Sequence, residues 1–204
     1  SWIVGAVFVV AVSCYFLLKK RHDELAKKSI GIAGIVGLTA SLLALITGDE
    51  SAYKVAQVQP MKLAAMEALY NGGESQGLTL IAAVNPFEQP NYQEEEAAPL
   101  KLEVPNVLSV LATRTFDGYF GYGFIKSADD IVPYVPICFY AFRVMVGLGT
   151  LFMLFFVVLL YFVRKKDIAQ FKWLHWAGIA MLPLAYIASE SGWILAELGR
   201  KPWT

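Results

Sequence analysis

Four long apolar stretches, separated by charged segments, dominate the chain. They cover residues 1–18, 30–47, 137–163 and 173–197, and each is near or above the roughly 17–25 residues with which a helix crosses a bilayer. A segment inside a bilayer must satisfy its own backbone hydrogen bonds, so such stretches fold as helices. The pattern predicts an all-α integral membrane protein, with four transmembrane helices of a larger helical bundle and one long loop.

Charge is distributed unevenly between the connections. The two short turns, 19–28 and 164–172, are rich in Lys and Arg, whereas segment 49–135 has twelve acidic and five basic residues. Basic turns face the cytoplasm. We therefore predict three parts: two helices with a cytoplasmic turn in residues 1–48, an outer loop in 49–135, and two further helices in 136–204.

Composition supports a membrane protein and argues against a nucleic-acid-binding protein. The chain is 57% hydrophobic with a formal net charge of zero, which argues for a membrane protein and against a nucleic-acid partner. Cys14 and Cys138 lie in apolar stretches without CxxC spacing, so buried structural cysteines are expected. The chain starts at Ser1 inside an apolar run, which favours a piece of a longer protein.

The last apolar stretch ends in a cluster of charged and aromatic residues. Glu190, Trp193 and Glu197 are three and four residues apart, so they share one face of a helix. Arg200 and Lys201 would lie near that face if the helix reached them. Carboxylates in a membrane helix are costly and suggest a site.

The third apolar stretch contains a single Arg. Arg143 requires an anionic partner inside a membrane, either a heme propionate or a carboxylate such as Glu190. Met145 is a soft ligand that suits heme iron opposite a His, although a Met in an apolar helix more often fills a core. His22 and His175 both fall near the predicted cytoplasmic side and are expected to be solvated or interfacial.

The outer loop offers a second candidate site. Residues 61–70, MKLAAMEALY, predict a short helix that carries Lys62 and Glu67. The two could form a simple solvated pair. They also suit quinol oxidation, where a carboxylate takes a proton and an ammonium binds the oxygen. Asp49 and Glu50 follow Gly48, and this pattern indicates a helix end at the membrane interface. The alternative interpretation is a proton gate.

Three of these stretches together resemble one family. ESGWILAELGRKPW is similar to a GWxxxExGRQPW signature, FRVMVG to an FRxMVG segment, and GDESAYKVAQVQPMKLAAMEAL to a loop that contains GDE and KLAAxE. In this order the motifs resemble the C-terminal half of subunit I of cytochrome bd-type quinol oxidases, in the branch with a short quinol loop. Lys201 departs from the signature, which has Gln there, and Glu190 has no assigned role.

The resemblance implies a function for the parent protein. It would be a terminal respiratory oxidase of a bacterial or archaeal plasma (inner) membrane that oxidises membrane quinol and reduces dioxygen to water. Its cofactors would be a low-spin heme b, a high-spin heme b and heme d. Its partners would be oxidase subunit II, quinol and dioxygen, and the piece represented by this chain would be inactive alone.

The resemblance also implies residue roles. Met145 would be an axial ligand of the low-spin heme b and Arg143 would lie near that heme. Glu197 would be the carboxylate associated with the high-spin heme b, with Trp193 among the hemes, and Arg200 would hold a propionate.

By the same resemblance, Lys62 and Glu67 would carry quinol oxidation. The alternative from another class is a non-redox transporter whose substrate path is lined by Arg143, Glu190 and Glu197.

Overall fold

The computed structural model describes residues 1–67, 78–82, 101–104, 134–165 and 168–199. Five α-helices and two strands occur in this part of the chain. In chain order they are α1 (Trp2–Leu18), α2 (Asp23–Val58), α3 (Pro60–Glu67), β1 (Leu78–Ala82), β2 (Lys101–Val104), α4 (Val135–Lys165) and α5 (Lys172–Leu198), with a 3-10 turn at Ile168–Gln170 between the last two helices.

Three of the described helices, α2, α4 and α5, are long and apolar enough to cross a membrane. This confirms the helical membrane class. Helix α1 is also apolar, but its 17 residues extend about 25 Å at 1.5 Å per residue, less than a hydrocarbon core of about 30 Å. Within the described residues the count of candidate spans is therefore three, one fewer than the four predicted.

Helix α2 continues well beyond its predicted end at Gly48 and the two acidic residues after it. A Gly within a helix costs only about 1 kcal/mol relative to Ala, and local bonds support the extension. The Ser51 hydroxyl donates to the Thr47 carbonyl at 2.7 Å, and Lys54 Nζ lies 3.2 Å from Glu50 Oε1. The chain thus enters the predicted loop as a helix.

The chain forms two compact units, and the first consists of Ser1–Ile46 with Met145–Glu190. Its core joins apolar side chains of α1, α2, α4 and α5. Small residues allow α2 to approach α4: a Cβ added to Gly37 would lie 2.3 Å from the ring of Phe156, and Phe156 is fully buried. Because lipid is as apolar as these rings, close van der Waals packing is the main favourable contribution to this contact.

The two histidines of the first unit have different environments. His22 is exposed in the turn between α1 and α2, as expected. His175 is only 1% exposed, so our expectation of a solvated or interfacial side chain was wrong. The turn at Ile168–Gln170 precedes α5, and its buried Ile168 belongs to the core that covers the first turn of α5.

The second unit consists of Thr47–Val144 and Ser191–Thr204. Helix α3 is its most buried described element, because all of its residues except Pro60 and Lys62 are buried. Strands β1 and β2 pair antiparallel, with an irregularity in register between Thr79 and Ile81. The strand pair is a small addition to an otherwise helical fold.

Several predicted features lie outside the described residues. These are the end of the short loop helix after Glu67 and the C-terminal residues from Arg200 to Thr204. The side of the membrane on which each connection lies stays a prediction.

Candidate functional site

Helix α3 places two charged side chains in the second unit. It begins at Pro60, whose fixed φ suits the first helical position, and continues through the helix-forming run KLAAME. Lys62 and Glu67 are five residues apart, so they point about 140° away from each other. Glu67 is 2% exposed and Lys62 is half-buried. They therefore do not form the solvated pair that the sequence left open.

The carboxylate of Glu67 forms a bidentate ion pair with Arg143 of α4. Arg143 Nη2 donates to Glu67 Oε2 at 2.5 Å, and Nη1 donates to Oε1 at 3.3 Å. The exposed fractions of the two side chains are 17% for Arg143 and 2% for Glu67. Two parallel N–H···O bonds fix the carboxylate in one plane and give a stronger interaction than a single contact.

Aromatic rings hold the guanidinium of Arg143 in place. Its Cζ lies 5.0 Å from the ring centre of Phe139 and 5.3 Å from that of Phe142, within the range of cation–π attraction. Arg143 Nε is buried and has no hydrogen-bond partner among the described residues. A buried donor without an acceptor is costly, so this N–H is available to a further anionic or carbonyl oxygen.

The side chain of Lys62 contacts the end of α5. A Cβ added to Gly199 would lie 2.9 Å from Lys62 Cε and 3.2 Å from Lys62 Cγ, so the aliphatic part of Lys62 packs on the bare Cα of Gly199. Within the described chain, no carboxylate pairs with Lys62. Helix α3 thus contacts α4 through the Glu67–Arg143 pair and the end of α5 through the stem of Lys62. We call these residues the Lys62–Arg143 cluster.

Sequence reasoning named three residues of this cluster but did not bring them together. It offered Glu190 or a propionate as the partner of Arg143, whereas the partner in the structure is Glu67; Glu190 itself is exposed. Phe139 was missed, although its position four residues before Arg143 places it on the same helix face.

The other predicted site residues of α5 have diverse environments. Trp193 is 64% exposed, and Glu197 is half-buried. Both lie in the second unit. Arg200 falls outside the described residues.

Met145 is half-buried in α4, so its thioether is accessible to a ligand. Neither histidine is a companion ligand: His175 packs beside the Ile168 turn, and Met145 lies 20 residues before the end of α4 at Lys165, about 30 Å by helix rise. The thioether of Met145 is thus the candidate soft ligand that the described residues offer. The unpaired Nε–H of Arg143 supplies a donor for a propionate. This partial set fits heme.

Fold and cluster together define a helical membrane protein with a buried polar site built from three helices. The chain belongs to the cytochrome bd terminal oxidase subunit I family, whose model matches residues 1–204. This confirms the resemblance noted in the sequence. The family is heme-dependent, and its members are multi-pass proteins of the bacterial inner membrane, in agreement with the three candidate spans. The transporter alternative is not favoured.

Curated relatives agree with this assignment. The chain is 30% identical over 267 residues to cytochrome bd-II ubiquinol oxidase subunit 1 of Escherichia coli, covering all of this chain and 51% of the relative. It is 34% identical over 209 residues to cytochrome bd ubiquinol oxidase subunit 1 of Bacillus subtilis, covering 98% of this chain and 43% of the relative. A putative cytochrome bd menaquinol oxidase subunit I of the same organism is 32% identical, covering 100% and 45%.

A solved structure shares the fold. The bd oxidase from Geobacillus thermodenitrificans superposes with a TM-score of 0.84 at 28% identity, covering 98% of this chain and 44% of that one. The chain therefore spans about half the length of the curated relatives and of the structure that it matches.

Proposed function

We propose that the protein containing this chain oxidises a membrane quinol and passes its electrons to dioxygen, which is reduced to water. The observation that carries the proposal is the buried ion pair between Glu67 and Arg143; Lys62 belongs to the same short helix as Glu67. Quinol oxidation releases protons as well as electrons, so it requires a base and a group that binds the quinol oxygen. Relatives named for ubiquinol and for menaquinol both match, so the proposed substrate is a quinol as a class.

Glu67 is the proposed base. An isolated carboxylate that is 2% exposed would tend to be neutral, but the two hydrogen bonds from Arg143 favour its charged form. A carboxylate held in this way can accept a proton from a quinol hydroxyl. Proton uptake would also cancel the charge with which Arg143 pairs, so each turnover would loosen the ion pair.

Lys62 is the proposed ligand of the quinol oxygen. Its ammonium is half-buried and has no carboxylate partner among the described residues. A cation in such a place can donate a hydrogen bond to the quinol oxygen and stabilise the negative charge that develops there.

The test compares two electron donors. Glu67→Ala should lower quinol oxidation by about 10²–10⁴-fold, the usual contribution of a general base, while oxygen reduction by an artificial donor stays near the parent rate. Glu50→Ala is the control, since Glu50 is an exposed carboxylate in a surface pair with Lys54, and it should change neither rate. An equal loss of both activities in Glu67→Ala would indicate a folding role and sink the proposal.

The cofactor and partner assignments extend this proposal. Bound heme supplies one-electron transfer between quinol and dioxygen. We propose low-spin heme b, high-spin heme b and heme d, with Met145 as an axial ligand of the first and Glu197 associated with the second. The exposed ring of Trp193 supports a neighbouring cofactor. A second membrane subunit is the proposed partner.

Optical spectra test the axial ligand. Met145→Leu should remove the low-spin heme b signal, because Leu has no donor atom. Met153→Leu, a change of the same type in the same helix, should preserve it. An unchanged low-spin spectrum in Met145→Leu would show that the assignment is wrong.

A further inference from the structure

The role of Gly199 is not explained by helix formation alone. It follows the last residue of α5, and its N–H donates to the Leu195 carbonyl at 3.0 Å. A Cβ at this buried position would lie 2.8 Å from the Leu195 oxygen, as well as 2.9 Å and 3.2 Å from Cε and Cγ of Lys62. Real Cβ atoms essentially never come within 3.0 Å of another heavy atom, so any side chain here would displace a neighbour.

The neighbour that yields most easily is Lys62. Its Cε is near the free end of a flexible side chain, whereas the Leu195 oxygen belongs to backbone. A side chain at Gly199 would therefore turn Lys62 into another rotamer, and it would also press on the Leu195 oxygen in the last turn of α5. Lys has four rotatable bonds, so a change at an inner bond moves the ammonium by several ångströms while α3 stays in place.

We propose that Gly199 is a positioning residue for quinol oxidation: the absence of a side chain lets the stem of Lys62 cross the end of α5 and fixes where its ammonium meets the quinol oxygen. This inference rests on the proposed function of Lys62. It gives the glycine in the LGRKPW segment a role in quinol oxidation that is exerted through a residue of α3. A misplacement of about 1 Å can lower a rate 10²-fold, so the effect should be measurable.

The first experiment tests the contact without measuring activity. Lys62→Cys and Gly199→Cys are introduced together into the full-length membrane protein, which is oxidised and then mapped by peptide mass spectrometry. Lys62 Cγ marks the place of a cysteine sulfur, and it lies 3.2 Å from a Cβ at Gly199. Across a disulfide a sulfur lies about 3 Å from the Cβ of the other cysteine, so the separation suits a cross-link. Lys62→Cys with Ala196→Cys is the control, because Ala196 is exposed. Absence of the first link, or equal formation of both, overturns the proposal.

The second experiment is a double-mutant cycle with Gly199→Ala and Lys62→Ala. Gly199→Ala alone should lower quinol oxidation at least tenfold and keep both the heme spectrum and oxygen reduction by an artificial donor within twofold. In the Lys62→Ala background it should add no further loss. Gly48→Ala, at a glycine with open space around it, should leave all three readouts unchanged.

The remaining outcomes separate the two proposals. An equal further loss in the Lys62→Ala background, or loss of the heme spectrum in both backgrounds, means that Gly199 supports the fold, and the positioning role is wrong. If Lys62→Ala leaves quinol oxidation unchanged, the proposed function of Lys62 fails. In that case the cross-link shows whether Gly199 still fixes the position of the aliphatic part of Lys62.

Discussion

The ion pair between Glu67 and Arg143 should contribute strongly to stability, and Glu67→Gln tests this. The change preserves shape but leaves the guanidinium without its counter-charge. Breaking a buried pair in this way costs about 3–5 kcal/mol. Arg143 is 17% exposed and also contacts the ring of Phe139. We therefore expect a loss of unfolding free energy at the lower end of this range. A loss of about 3 kcal/mol is more than a hundredfold in the equilibrium constant of unfolding.

The chain provides a matched control for this prediction. Glu50 and Lys54 form a pair at 3.2 Å whose side chains are 65% and 69% exposed. Glu50→Gln is the same chemical change, but water screens the charges, so its cost should not exceed about 0.5 kcal/mol.

The assay is equilibrium unfolding of the detergent-solubilised protein, followed by heme absorption and by tryptophan fluorescence. Glu67→Gln combined with Arg143→Gln replaces the ion pair with two neutral amides and should recover part of the lost free energy. Equal costs for Glu67→Gln and Glu50→Gln would refute the reasoning, since burial would then make no difference.

Packing in the first unit gives three further predictions. Gly37→Ala should destabilise the protein by about 1–3 kcal/mol in the same assay, because its Cβ would meet the buried ring of Phe156, whereas Gly48→Ala, which meets nothing within 4 Å, should not. Gly178→Ala should also destabilise the protein, since a Cβ there would lie 2.8 Å from Cys14 Sγ. Adding Cys14→Ala should relieve the clash and restore stability. If it restores none, the contact between Gly178 and Cys14 is contradicted. The free, buried thiol of Cys14 should resist a membrane-permeant maleimide until the protein unfolds, and rapid labelling of the native protein would disprove its burial.

The sequence predicted the apolar helices well because a bilayer leaves an apolar segment few alternatives. It fails at Gly48, where it predicts a helix end. Glycine followed by acidic residues is a typical stop signal, but the signal is weak in free energy, and the contacts of Ser51 and Lys54 with the preceding turn favour continuation. Such local bonds are not visible in composition.

The residue types of the candidate site could be predicted from the sequence, but the contacts between those residues could not. Arg143 was expected to need an anion and Glu67 to serve as a base, but 76 positions separate them, and nothing in the local pattern pairs them. The burial of His175 has the same origin, because it depends on a turn that packs the start of α5 into the core. Tertiary packing determines both the pairing of Glu67 with Arg143 and the burial of His175.

The contact between Gly37 and Phe156 has a consequence for how the family can diverge. A bare Cα and a large ring fill one shared volume between α2 and α4, so the two positions cannot change independently. A relative that carries a larger residue at the position of Gly37 should carry a smaller one opposite. The two positions should therefore covary among homologues, with their summed side-chain volume held nearly constant.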